Sequence, residues 1–136
     1  MLKKPSPEQT AFEMVTLDGL VPKDHLLRKI DAVIDFSFIH DRVEGLYCPD
    51  NGRPALDPTL MFKSLFIGYL FGIRSERQLV REIEVNVAYR WFLRMKLTDR
   101  VFDASTLSQN RRRRFNNTHV AQDIFDHIVE QAIRHG

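Results

Sequence analysis

The placement of proline and glycine constrains this chain more than any other feature of its sequence. All six prolines lie at or before Pro58, and no glycine occurs between Gly72 and Gly136. Because these two residues most often end helices and begin turns, the second half of the chain should consist of helices joined by short turns. No stretch shows the apolar and polar alternation that is typical of a strand. The sequence therefore predicts an all-α fold.

Length and composition are those of one soluble domain. The 136 residues are 43% hydrophobic and 28% charged, which excludes intrinsic disorder and low-complexity fibres. The single cysteine, Cys48, excludes an intramolecular disulfide and fits a reducing compartment. No apolar run reaches the roughly 20 residues that cross a bilayer. We expect a cytoplasmic protein without a membrane segment, with an irregular arm over residues 1–22 and one helical domain over residues 23–136.

Short elements are predicted for the first part of the chain. A turn of helix is expected near Glu8–Val15 within the arm, and a helix capped by Asp24 should extend to about Phe36. A second short helix is expected at Ser37–Glu44. The stretch Gly45–Pro54 contains proline, glycine, aspartate and asparagine, so it is predicted to be a loop.

The helix with the clearest ends starts after Asp57, the predicted N-cap, with Pro58 at its first position and Gly72 as its stop signal. Its apolar residues are spread around nearly the whole circumference, so the helix should be central and buried. An aromatic-rich helix can also line a cofactor pocket, but a core helix is the better interpretation. We expect the other helices to pack around it.

Two further cap signals follow. Ser75 with Gln78 three residues later is a capping-box pattern that opens one helix, and Asn86 can cap the next. Two short helices with a tight turn between them form a helical hairpin or a helix-turn-helix-like unit. Ser105 is the expected cap of a basic helix that ends near Phe115, and a last helix is expected over residues 118–135.

The charge is unevenly distributed along the chain. Residues 1–73 carry a net charge of −2, residues 74–114 carry +6, and residues 115–136 carry −2. Ten of the eleven basic residues in the middle segment are arginines, whose planar guanidinium suits phosphates and base edges. A polyanionic partner is therefore plausible. The alternative is that these arginines lie on solvated faces or pair with neighbouring glutamates.

The predicted basic helix has two different faces. Arg111 lies at the centre of its apolar side, so we expect its stem to pack in the fold and its guanidinium to donate hydrogen bonds to a carboxylate or to backbone carbonyls. Thr106, Gln109 and Arg113 lie on the opposite side, with Arg112 on the flank. Arginine and glutamine can bind guanine and adenine edges, and the hydroxyl groups of Ser105 and Thr106 can bind phosphate at the helix start. This pattern favours a helix that binds the major groove.

The order of segments resembles a known family. The runs VPKDHLLRKIDAVIDFSFI, GRPALDPTLMFKSLFIGYLFGIRSERQLVREIEVNVAYRWFLRM and FDASTLSQNRRRRF resemble the N-terminal domain of bacterial insertion-sequence transposases of the IS-five-like group. The similarity covers about residues 20–135. Matching elements include the GRP element at Arg53 and Pro54, the aromatic pair Trp91 and Phe92, and the S-T-x-x-x-N-R element that starts at Ser105. Phe102 and Ala104 depart from the family pattern, so the turn that enters the basic helix is expected to differ.

The resemblance implies a DNA-binding helical domain that precedes a ribonuclease-H-like catalytic domain, in which three carboxylates hold two divalent metal ions. The implied partner is duplex DNA at the terminal inverted repeats of the element. We expect the catalytic domain to lie beyond this chain, so that the chain is no enzyme by itself, has no catalytic residue and needs no cofactor. Mg²⁺ is expected only in the missing domain. The residues predicted to bind DNA are Arg74, Arg77, Arg81, Ser105, Thr106, Gln109, Arg112, Arg113 and Arg114; those with predicted structural roles are Arg111, Trp91, Asp57 and Pro58.

Two pairs of aspartates are the other polar groups that could form a site. The pairs Asp31 with Asp35 and Asp123 with Asp126 share predicted helix faces, but they are expected to be exposed charges rather than a metal-dependent nuclease site. The last helix has an apolar arc wider than one packing face needs. Its predicted free strip, at Phe125, Val129 and Ile133, favours a homodimer. A helical interaction module that does not read DNA is therefore the alternative function.

Overall fold

The computed structural model describes residues 2–6, 10–43, 56–108 and 120–134, without the side chains of residues 42, 43, 120 and 121. Within these ranges the chain forms helices and no strand, which confirms the all-α prediction. The helices are α1 (Leu17–Leu20), α2 (Leu26–Val33), α3 (Phe38–Val43), α4 (Pro58–Leu70), α5 (Glu76–Val85), α6 (Val87–Phe92), α7 (residues 104–108) and α8 (Val120–Arg134). The predicted loop Gly45–Pro54 lies outside the described residues.

Helix α4 has the ends that its sequence predicts. The Asp57 carboxylate accepts a hydrogen bond from the Thr59 amide at 2.9 Å, and Pro58 occupies the first turn, where no amide donor is needed. At the other end Gly72 adopts a φ of 68°, and the Ile73 amide donates to the Gly68 carbonyl at 2.8 Å. This arrangement is a Schellman motif, in which glycine takes the left-handed position at low conformational cost.

The core is built around α4. Met61, Phe62 and Ile67 are fully buried, and Phe66 is 7% exposed. Helix α4 contacts α3 and α5, while α1 and α2 pack on α6, and α8 packs on α2 and α3. The prediction of a central helix is confirmed, with one exception at Tyr69, which is 77% exposed at the carboxyl end of the helix.

Helix α2 begins and ends differently from the prediction. His25, not Asp24, is the N-cap, because its Nδ1 accepts from the Leu27 amide at 3.0 Å. The helix ends at Val33 rather than near Phe36. Residues 34–36 alternate between buried, exposed and buried, as in an extended segment. The Gln131 amide group of α8 donates to the carbonyl of Asp35 and accepts from its amide, which satisfies the extended backbone there.

The end of the predicted arm is helical and packed. Residues 10–16 are not helical, so the turn expected at Glu8–Val15 is wrong where the structure describes it. The turn lies instead at Leu17–Leu20, because the Thr16 hydroxyl accepts from the Gly19 amide at 3.0 Å. Val21 is 3% exposed, so the chain enters the core immediately after this turn.

A single residue connects α5 to α6. The Asn86 amide donates to the Glu82 carbonyl at 2.9 Å and ends α5, while its side-chain oxygen accepts from the Tyr89 amide at 3.0 Å and starts α6. Ser75 caps α5 by accepting from the Gln78 amide at 3.0 Å. Both predicted caps are confirmed, since these signals depend on residues only two or three positions apart.

Candidate nucleic-acid interface

The outward face of α5 carries predicted DNA-binding residues. Arg77 and Arg81 are exposed on the helix, and Arg74 is exposed just before its cap. The opposite face is buried through Leu79, Val80 and Ile83, the last with no exposed surface. Because the apolar face fixes the rotation of the helix, the arginines must point to solvent.

The structure shows these three arginines unpaired with the side chains that it describes. Among the described residues no salt bridge or side-chain hydrogen bond involves Arg74, Arg77 or Arg81. This differs from the alternative in which the arginines pair with neighbouring glutamates. Three guanidinium groups on one surface that form no salt bridge with a described residue make a local positive potential that attracts polyanions.

Helix α7 begins two residues earlier than predicted. The Leu107 amide donates to the Asp103 carbonyl at 3.1 Å, so Asp103 occupies the N-cap position and Ser105 lies within the first turn. The expectation that Ser105 caps this helix is therefore wrong. Ser105 is exposed and Thr106 is half-buried, while Leu107 is fully buried. Burial of Leu107 fixes α7 against the core.

A side-chain contact joins the two predicted DNA-binding segments. The Ser108 hydroxyl of α7 hydrogen-bonds to a carboxylate oxygen of Glu76, in the first turn of α5. The start of α5 and the end of the described part of α7 are therefore neighbours. Gln109 and Arg111–Arg114 lie outside the described residues, and their predicted roles stay predictions.

Two arginines of the middle segment, residues 74–114, stabilise the fold instead. Arg90 is 7% exposed, and its guanidinium donates to the carbonyls of Lys96 at 2.8 Å, Asp99 at 2.9 Å and Glu84 at 3.3 Å. Arg94 donates to Asp31 and adopts a φ of 62°. The net charge of +6 in the sequence therefore overstates the positive charge that is free to bind a partner.

Trp91 lies at the contact between α1, α2 and α6. The guanidinium groups of Arg28 and Arg94 stack on its ring, 4.7 Å and 5.5 Å from the centroid, and its Nε1 donates to Asp18 at 3.1 Å. Arg28 also donates to Asp18, at 3.0 Å. The hydrogen bond and charge of Arg28, with the smaller contribution of Trp91, hold the pKa of Asp18 below its usual value. The sequence did not predict this cluster.

A second unpredicted polar cluster lies inside the core. Lys63 is 6% exposed, and its ammonium donates to the Phe92 carbonyl at 3.0 Å and lies 4.9 Å and 4.8 Å from the ring centroids of Phe36 and Phe92. Burial lowers the pKa of Lys63, the charge of Arg94 lowers it further, and the carboxylate of Asp31, 4.0 Å away, offsets part of the change. The sequence feature that could have indicated this cluster is Lys63 itself, the one charged residue of α4.

The structure describes all four members of the predicted carboxylate pairs. Asp31 is only 19% exposed and pairs with Arg94, so the expectation that it is a solvated charge is wrong. Asp35 follows the end of α2 and does not share a helix face with Asp31. Asp126 of α8 accepts from Gln122 at 2.8 Å. The described part of the chain contains no group of three or more His, Cys, Asp or Glu side chains placed to hold a metal ion.

The predicted interface strip on α8 is narrower than expected. Phe125 is half-buried and packs edge-to-face on Phe62, with 5.9 Å between ring centroids, so placing it in a free strip was wrong. Val129 and Ile133 are 47% and 75% exposed, one turn apart. Two apolar residues of the predicted strip therefore remain on the surface. None of the helices in the described residues is both long enough and apolar enough to span a membrane.

Comparison with known protein families finds one that covers most of the chain. Residues 15–113 match the family described as Transposase domain (DUF772). The match includes every described helix from α1 to α7. No curated protein and no solved structure matches the chain. Since the family match covers more than half of the chain, the protein belongs to the transposase domain family DUF772.

Proposed function

We propose that this domain binds duplex DNA at the terminal inverted repeats of a transposable element, as the N-terminal module of a DDE transposase of the IS-five-like group. Membership of a transposase domain family supports a role in transposition. The observation that carries DNA binding is the exposed surface formed by α5 and the residue before its cap, on which Arg74, Arg77 and Arg81 form no salt bridge with any described residue. A duplex supplies that counter-charge along its phosphate backbone.

A salt titration tests the proposal directly. Affinity for a labelled duplex should fall steeply between 50 and 200 mM salt, because each phosphate contact releases condensed counterions. The triple variant R74A/R77A/R81A should bind several-fold more weakly and show a shallower salt dependence. A matched control is K23A/K29A/R134A, which removes the same charge from exposed positions elsewhere. If both variants bind equally well, the α5 face is not the binding surface.

We infer that this chain binds DNA and does not cleave it. The resemblance assigns the metal-binding carboxylates to a separate catalytic domain, and the acidic side chains described here are paired or dispersed. We expect no nicking of duplex DNA with Mg²⁺ or Mn²⁺. Nicking that persists through purification and is lost in an Asp31 or Asp123 variant would contradict this assignment.

The second candidate function is self-association through α8. The exposure of Val129 and Ile133 at i and i+4 favours it, and the occupant that fits is the same strip of a second copy about a two-fold axis. Such pairing also suits a protein that brings two element ends together. Light scattering with and without duplex DNA separates the two candidates, because a pure interaction module associates without DNA and leaves the duplex unbound.

A further inference from the structure

Helix α5 presents one continuous stripe to solvent. Gln78, Arg81 and Val85 are spaced i, i+3 and i+7, so they lie in a row along the side opposite Leu79 and Ile83. All three are exposed, and Val85 is 82% exposed. This stripe, defined as Gln78, Arg81 and Val85, is the central line of the outward face.

The stripe supplies three kinds of contact that distinguish bases in the major groove. Arginine binds the O6 and N7 atoms of guanine, glutamine binds N6 and N7 of adenine, and an apolar side chain contacts the methyl group of thymine. A single exposed valine needs no explanation by itself. Its position in line with Gln78 and Arg81 is what makes it informative.

The dimensions of α5 fit this groove. Its ten residues span about 15 Å, and the stripe from Gln78 to Val85 spans about 10 Å, which is about three base-pair steps. Arg77 lies on the flank and Arg74 just before the cap, where guanidinium groups reach phosphates rather than bases. Glu84 lies on the same flank as Arg77 and adds one negative charge there, which leaves the stripe as the part of the face suited to bases.

We propose that α5 is the helix that reads bases, with the stripe of Gln78, Arg81 and Val85 against base edges in the major groove and with Arg74 and Arg77 on phosphates. This inference rests on the proposed function and assigns base reading to a helix for which the sequence predicted DNA-binding arginines but no role in reading bases. The predicted reader at Thr106, Gln109 and Arg113 lies mostly outside the described residues, so its role stays a prediction beside this one.

The first test separates base reading from phosphate binding. Selection from random duplexes gives a preferred sequence, and affinities are then measured on that duplex and on a scrambled one at the same salt concentration. Gln78→Ala and Arg81→Ala should weaken binding to the preferred duplex about 5- to 100-fold, and Gln78→Ala should leave the scrambled duplex unaffected. Arg77→Ala is the matched control, which should weaken both duplexes equally and lower the salt slope by about one unit.

The second test concerns Val85 and a single methyl group. Each thymine of the preferred duplex is replaced in turn by uracil, which lacks that methyl group. At one position the replacement should weaken binding by the wild-type chain several-fold. The Val85→Ala variant should bind the thymine and uracil duplexes with equal affinity. Thermal unfolding of each variant checks the fold, which should be unchanged because the substituted side chains are exposed.

The outcomes distinguish this inference from the proposed function. If the wild-type chain prefers one sequence but Gln78→Ala and Arg81→Ala keep the full preference, α5 does not read bases and only this inference is overturned. The same holds if both variants weaken the two duplexes equally, since α5 then binds phosphates alone. If the wild-type chain binds no duplex at low salt, the proposed function and this inference both fail.

Discussion

Arg94 donates from Nη2 to both carboxylate oxygens of Asp31, at 3.0 Å each, although its own backbone lies in the left-handed region at a φ of 62°. The position is the left-handed residue of a Schellman motif, because the Met95 amide donates to the Arg90 carbonyl at 2.9 Å. Glycine is usual there, as at Gly72. The arginine at this position ties the end of α6 to α2 and stacks on Trp91.

Substitution of Arg94 should separate backbone strain from pairing. Arg94→Ala loses the ion pair and keeps the strain, so we expect a loss of about 1–2 kcal/mol in the free energy of unfolding. Arg94→Gly loses the same pair but relieves the strain, so it should be about 1 kcal/mol more stable than the alanine variant. Urea unfolding measures both. Equal stability of the two variants would show that residue 94 does not hold the left-handed conformation in solution.

Arg90 should contribute more to stability than any exposed arginine. Its buried guanidinium donates to two backbone carbonyls in the turns after α6 and to one in α5, and loss of these charge-assisted hydrogen bonds leaves the carbonyls without that donor. We expect Arg90→Ala to lower the free energy of unfolding by about 2–3 kcal/mol, and Arg90→Lys to recover only part of it. Exposed Arg77→Ala is the control and should change stability by less than about 0.5 kcal/mol. A silent Arg90→Ala would refute this role.

The caps of α4, α5 and α6 could be predicted from the sequence, and the polar clusters could not. Asp57, Ser75 and Asn86 act on amides two or three residues away, so the local sequence contains the whole interaction. Lys63 and Phe92, or Arg94 and Asp31, are joined only by tertiary packing, 29 and 63 residues apart. The α5 face was predictable because amphipathic spacing fixes which side is buried. The start of α7 was not, because Asp103 and Ser105 are both acceptable caps.

Lys63 should make stability depend on pH in the alkaline range. Burial lowers its pKa in the folded chain below the ordinary value of 10.5, so the unfolded chain binds more protons between the two values. The free energy of unfolding of the wild type should therefore rise relative to Lys63→Met as pH increases from neutral toward 10.5. Burial raises the pKa of Tyr89, which has the opposite effect on stability. Comparison with Lys63→Met cancels that effect, because both chains contain Tyr89. A difference that stays constant or falls with pH would contradict the lowered pKa.

The arginine run beyond the described part of α7 gives a test of the predicted basic helix. Arg111 is expected on its apolar side, and Arg112 and Arg113 are expected toward solvent. Arg111→Ala should therefore lower the thermal midpoint, whereas R112A/R113A should weaken duplex binding at an unchanged midpoint. Calorimetry and a binding titration on the same samples measure the two effects. If Arg111→Ala is thermally silent but abolishes binding, the helix is rotated relative to the prediction.

Self-association should depend on the exposed apolar residues of α8. Val129 and Ile133 lie one turn apart, and a two-fold contact would bury them against their own copies, removing apolar surface from water at about 25 cal/mol per Å². We expect the wild-type chain to form dimers at high concentration in sedimentation experiments, and V129K/I133K to remain monomeric at every concentration, because like charges would meet at the axis. Asp123→Lys places a lysine at an exposed position of the same helix outside the pair and should leave the dimer intact. Phe125 packs on Phe62 within one chain, so Phe125→Ala should lower stability first and association only as a consequence. A wild-type chain that stays monomeric at millimolar concentration would exclude this contact and leave DNA as the only proposed partner.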